Sequence, residues 1–119
     1  MNITIKAIPE QELTALQKTH LEVAKQVAQG VEVKPALLSN SVRIIGAYRP
    51  WSGPIYIAPQ RLSHLRTTMN TTIHELGHHQ AQAGDGTMAH ERAISAITDQ
   101  VAAQAAAGYF DHLLAGALW

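Results

Sequence analysis

One stretch limits what this chain can fold into more than any other: Thr72-Ile73-His74-Glu75-Leu76-Gly77-His78-His79. It contains His-Glu-x-x-His, and two histidines four residues apart act together only where the backbone between them is helical. On a helix such residues lie on one face, one turn above the other. His74 and His78 then aim two imidazole nitrogens at a common point, about 2.0–2.1 Å from a Zn²⁺. Glu75 lies beside them, where a carboxylate can take a proton from a metal-bound water. Gly77 costs helix stability and is expected to leave room next to the metal. The plain alternative is a solvated helix that carries two histidines by chance. The spacing and the helical context argue against it.

The flanking sequence supplies that context. Leu62, Leu65, Met69, Ile73 and Leu76 recur at intervals of three and four, which predicts a helix from about Gln60 to Ala83 with an apolar stripe. The histidine pair lies about 100° from the stripe, between core and solvent. Gly84-Asp85-Gly86-Thr87 is a turn, and Thr87 or Asp85 is placed to cap the next helix. Ile94, Ile97 and Val101 mark that helix, from about Met88 to Ala107. Phe110, Leu113, Leu114 and Leu118 mark a short docked helix within 109–119.

Upstream of the motif, Ile3 and Ile5 alternate with polar residues as in a short strand. Pro9, Glu10 and Glu12 read as a helix start. Leu13, Leu16, His20, Val23 and Val27 form one buried face, and Gly30 is the stop. His20 on this stripe reads as a core or rim histidine. Residues 31–41 read as irregular, because Pro35 breaks a regular element. Val42 to Tyr48 reads as a strand, Pro50 to Pro54 as a turn, and Ile55 to Ile57 as an edge strand closed by Pro59.

Length and composition set the outer bounds. A chain of 119 residues forms one domain with a small core, and residues 1–119 read as that single domain. Nine basic and nine acidic residues give no electrostatic case for nucleic acid or an anionic membrane. No cysteine is present, so histidines and carboxylates are the strong zinc donors on offer. No apolar run approaches the roughly 20 residues of a membrane span. The opening Met-Asn-Ile-Thr-Ile-Lys lacks a signal-peptide core, and a cytoplasmic location is the expectation.

A catalytic zinc takes a third protein ligand and keeps a position open for water. His90 and Glu91 both stand near the start of the next helix, at a similar height to His78 if the two helices fold back on each other. Spacing favours either about equally, and Asp85 on the turn is a further candidate. Met69 reads as packing, and His79, His64 and His112 as surface or rim residues.

His74-Glu75-Leu76-Gly77-His78, with Glu91-Arg92-Ala93-Ile94-Ser95 after it, resembles the gluzincin metallopeptidases, with the minigluzincins and the ImmA/IrrE-type peptidases similar in size and layout. The resemblance spans about residues 55–100. It implies a small α+β zincin-like domain: an N-terminal helix, a short antiparallel or mixed sheet, the motif helix, a glutamate helix and a short C-terminal helix. It further implies His74, His78 and Glu91 as ligands of one Zn²⁺ per chain, Glu75 as general base, and residues 55–58 along the substrate cleft. The spacing from His78 to Glu91 is shorter than the family's, and Ser95 stands where many members carry Asp or Asn. His112 or Tyr109 is a candidate donor to the oxyanion, weighed against simple docking of the last helix. The function expected is zinc-dependent hydrolysis of peptide bonds, as an endopeptidase rather than an exopeptidase, acting on a peptide or protein substrate. The alternative is a non-catalytic, zinc-stabilised binding module of phage or toxin–antitoxin type. A homodimer through the apolar Phe110–Trp119 segment is a third expectation.

Overall fold

The computed structural model describes residues 5–38 and 53–119. The expected strand at Val42–Tyr48 and the start of the turn at Pro50 lie outside them. The described elements run β1 (Ile5–Ala7), α1 (Ala15–Val27), β2 (Val33–Leu38), β3 (Ile55–Ile57), α2 (Leu65–Ala81), α3 (Met88–Ala106) and α4 (Asp111–Leu114). Two 3-10 turns, Glu10–Glu12 and Pro59–Ser63, precede α1 and α2. The class is α+β, as expected. The described strands form a mixed sheet in the order β1-β2-β3, antiparallel on one side and parallel on the other.

Helix α1 starts later than Pro9 and Glu10 suggest. Thr14 and Gln17 exchange side-chain and backbone hydrogen bonds at 2.9 and 3.1 Å. This capping box satisfies two amide donors that a helix start otherwise leaves free. The Pro9 segment becomes a separate 3-10 turn, closed by an extended Leu13.

Pro35 does not break regularity either, because it lies in the middle of β2. The direction of its backbone explains this. Ile55 donates its N–H to Glu32 at 2.8 Å, so Glu32 faces β3, whereas Ile8 donates to the Pro35 carbonyl at 3.1 Å, so Pro35 faces β1. The N–H that proline lacks would point to the β1 side, just past the last β1–β2 pair, Ala7 with Ala36. The β1 ladder ends where the missing donor would be needed, and the ladder to β3 runs from Val33 to Pro35 on the other edge, where no Pro35 N–H is called for.

The core gathers Leu21 and Ala24 of α1, Ala28 just after it, Val33, Ile55 and Ile57 of the sheet, Leu62, Leu76 of α2 and Ile97 of α3. On α2 the most deeply buried line also includes Thr68 and Thr72. Their hydroxyls donate to carbonyls one turn back, Thr68 to His64 at 2.8 Å and Thr72 to Thr68 at 2.7 Å. Those bonds remove the cost of burying a hydroxyl. A break at His64, whose backbone is extended, divides the expected helix into the 3-10 turn and α2. In the C-terminal segment Phe110 is buried, while Leu114, Leu118 and Trp119 stay exposed. No helix among the described residues is long and apolar enough to cross a membrane.

Candidate metal centre

The site forms where α2 ends and α3 begins. Gln82 ends α2 in the left-handed region, at φ 51° and ψ 42°, and donates its N–H to His78 at 2.8 Å. This reverses the chain, so that the carbonyl of Ala83 returns to the ring of His78. Thr87 then starts α3: its hydroxyl accepts from the His90 N–H at 3.1 Å and donates to the Gly84 carbonyl at 2.8 Å. Since Thr87 does the capping, Asp85 is left to point at the histidines.

Gly77 lets α3 come close. A Cβ there would stand 2.9 Å from Ile94 Cγ1 and 3.2 Å from the His90 ring. The missing side chain makes room for the neighbouring helix, and not for the metal itself as the motif alone suggests.

Four donors meet at this junction, from His74, His78, Asp85 and His90, all within 4.8 Å of one another. The Nε2 atoms of His74 and His78 are 3.1 Å apart. Asp85 Oδ1 is 2.9 Å from each of them and 3.9 Å from His90 Nδ1. Tetrahedral zinc with ligand bonds near 2.0–2.1 Å places its donors about 3.3 Å apart. The 2.9 and 3.1 Å separations among His74, His78 and Asp85 fall a few tenths of an ångström short of that value, and the 3.9 Å separation to His90 lies beyond it.

Hydrogen bonds fix which nitrogen of each buried ring carries its lone pair. His78 donates Nδ1–H to the Ala83 carbonyl at 2.7 Å, which leaves Nε2 as a lone pair facing His74 and Asp85. His90 donates Nε2–H to the His74 carbonyl at 3.1 Å, which turns its Nδ1 lone pair toward the cluster. The 2.9 Å contact between His78 Nε2 and Asp85 Oδ1 thus joins two acceptors whenever His78 is neutral. Such a pair is repulsive unless a proton or a cation lies between its members. A divalent cation shared with His74 satisfies all three atoms at once, so the residues fit a metal.

The site has a closed wall and an open one. The side chains of His78 and His90 are each 3% exposed, while those of His74 and Asp85 are 44% and 59% exposed. The His78 and His90 rings stack at 3.8 Å with only 3° between their planes, whereas His74 meets both edge-on at 86°.

Glu91, the ligand favoured by the gluzincin resemblance, lies outside this group. It is exposed and lines a shallow depression with Met88, Arg92 and Ser95. The reason is the rotation of α3. Gly77 receives His90 and Ile94, four residues apart on one face, and a step of about 100° carries Glu91 away from it. Ser95 goes with Glu91 and gives no support to the histidines. Glu75 is half-buried beside His74, and its side chain makes no hydrogen bond or ion pair among the described residues. The Tyr109 hydroxyl accepts from Gln29 at 2.7 Å, and His64 and His112 are exposed. His79 is half-buried, and its carbonyl accepts from the Gln82 side chain at 2.6 Å.

Comparison with protein-family models, with curated proteins and with solved structures finds no match to this chain.

Proposed function

We propose that the protein is a zinc-dependent peptidase that hydrolyses internal peptide bonds. The observation that carries this reading is the convergence of His74 Nε2, His78 Nε2 and Asp85 Oδ1 within 3.1 Å of one another. Beside them stands a glutamate that no described partner engages. When bound, zinc polarises the scissile carbonyl and makes water a stronger acid. Glu75 takes one proton from the attacking water as the new C–O bond forms, then passes it to the leaving nitrogen as the C–N bond breaks. A closed structural site has no use for that carboxylate. The exposed side at His74 and Asp85 leaves room for an extended peptide.

A second reading rests on His90. Four donors make a closed site that only stabilises the fold, as in a zinc-dependent binding module. The two readings differ in one variant. Glu75→Gln should keep near-stoichiometric zinc, measured by mass spectrometry, and lose peptide cleavage by at least about 100-fold. A wild type that holds zinc but cleaves nothing across a broad peptide library would hand the site to the binding module. A wild type that takes up no metal at neutral pH would end both readings.

A further inference from the structure

The cluster offers four donors, and they are not equivalent. We infer that Asp85 completes the protein ligand set with His74 and His78, while His90 is a positioning residue that stays outside it and keeps the fourth position open. This assignment rests on the proposal that the site holds zinc.

An imidazole binds a metal along its lone pair, which lies in the ring plane. Two rings that share one ion must therefore have planes that meet at it. The His78 and His90 planes are parallel to within 3° and stacked at 3.8 Å, so no point lies in both. His74, at 86° to His78, has no such conflict. For His90 to join, its ring must tilt out of the stack.

Two contacts resist that tilt. The Nε2–H of His90 is bonded to the carbonyl of His74 at 3.1 Å. Its Cδ2 and Nε2 edge packs over Gly77, 3.2 Å from where a Cβ would stand, so the ring has little space to move toward α2. The distances agree: Asp85 Oδ1 is 2.9 Å from both motif nitrogens, but 3.9 Å from His90 Nδ1. Asp85 is also on the exposed turn, where a carboxylate can adjust without disturbing a helix.

His90 then has a defined task. It lies flat on His78 and holds the backbone of His74, so the two motif rings keep their angle with or without the ion. With Asp85 as third donor, one carboxylate offsets part of the zinc charge and one coordination position faces solvent.

The test counts imidazoles around the metal. X-ray absorption on the zinc-loaded wild type should fit two imidazoles with oxygen donors. The count should remain two in His90→Gln, whose amide can still donate to the His74 carbonyl. Chelator competition should show a loss of zinc affinity of about 10–100-fold in His90→Phe, with recovery in His90→Gln, as expected of a group that orients ligands. Asp85→Ala should lose more affinity than either. Three imidazoles in the wild type, falling to two in His90→Gln, would overturn the assignment, as would unchanged affinity in Asp85→Ala. Neither result depends on peptide cleavage, so this inference can fail while the peptidase proposal stands. Absence of bound zinc in the wild type would instead sink the metal reading on which both depend.

Discussion

His78 Nδ1 and the carbonyl oxygen of Ala83 lie 2.7 Å apart, and the bond between them exists because Gln82 turns the chain at φ 51°. Gln82 is the one non-glycine residue with positive φ among those described. A left-handed residue other than glycine costs about 1–2 kcal/mol, and such strain persists where surrounding structure holds it. Here it orients the His78 ring.

The strain makes opposite predictions for two substitutions. Gln82→Gly should leave stability unchanged or raise it by up to about 1 kcal/mol, because relief of strain outweighs added chain entropy. Zinc affinity should hold. Gln82→Val cannot adopt this backbone easily and should cost about 1–2 kcal/mol. It should also weaken zinc by about 10–100-fold as the His78 ring loses its carbonyl partner. Denaturant unfolding of the metal-free protein and chelator competition measure the two effects separately. Equal zinc affinity in Gln82→Val would show that the Ala83 bond does not orient the ring.

The motif itself is legible in the sequence because its spacing is local: four residues on a helix dictate that His74 and His78 share a face. The partner donors are not legible to the same degree. His90 and Glu91 differ by one residue, about 100° of rotation, and the rotation of α3 is set by what fits over Gly77. That is a packing relationship between helices, which spacing along one helix does not contain. Asp85 and Thr87 are equally good caps on paper, and only the fold gives the cap to Thr87 and frees Asp85. Thr68 and Thr72 do not stand out as core residues because their hydroxyls look polar, yet each is satisfied by its own helix. Pro35 looks like a breaker because the side to which its missing N–H points depends on strand pairing.

Gly77→Ala tests the close approach of α2 and α3. In an isolated helix the change would stabilise by up to about 1 kcal/mol. In this structure the new methyl meets Ile94 Cγ1 at 2.9 Å and the His90 ring at 3.2 Å. Overpacking of this kind costs about 1–3 kcal/mol, so net destabilisation of about 1–2 kcal/mol is expected. Ile94→Ala made in the same chain should recover part of that loss, giving a favourable coupling in a double-mutant cycle. Additive effects would mean that the helices do not meet at this point.

Lys25 makes a smaller, pH-dependent prediction. Its ammonium donates to both oxygens of Glu10 at 3.1 and 2.9 Å, tying the first 3-10 turn to α1. These bonds, with help from Glu22 and against some desolvation, raise its pKa above 10.5. A base with a raised folded-state pKa stabilises fully below its unfolded value and loses that contribution as pH climbs through the folded one. The loss therefore begins above pH 10.5. The side chains are 35% and 48% exposed, so solvent screening holds the effect to about 0.5–1 kcal/mol. Lys25→Met should remove that part of the alkaline loss, as read from unfolding at pH 9 and 11.

His20 links three segments that are distant in sequence. It is fully buried and lies on α1. Its Nδ1–H donates to the carbonyl of Leu62, in the 3-10 turn before α2. Its Nε2 accepts from the Leu118 N–H at 3.0 Å. The Leu118 carbonyl in turn accepts from Leu65, the first residue of α2, at 2.7 Å. A neutral ring in one tautomer therefore serves as donor and acceptor at once, and α2 gains a partner for an amide that a helix start leaves free. His20→Ala removes both bonds and opens a cavity, at an expected cost of about 2–4 kcal/mol. His20→Gln, able to satisfy one side, should recover part of it. The local signature is hydrogen exchange: the Leu118 and Leu65 amides should lose protection in His20→Ala well before the core amides do. Zinc stoichiometry should be unchanged, since His74 lies more than two helical turns from Leu65. If the Leu118 amide stayed protected in His20→Ala, the ring would be a packing residue and the C-terminal segment would be held by its other contacts.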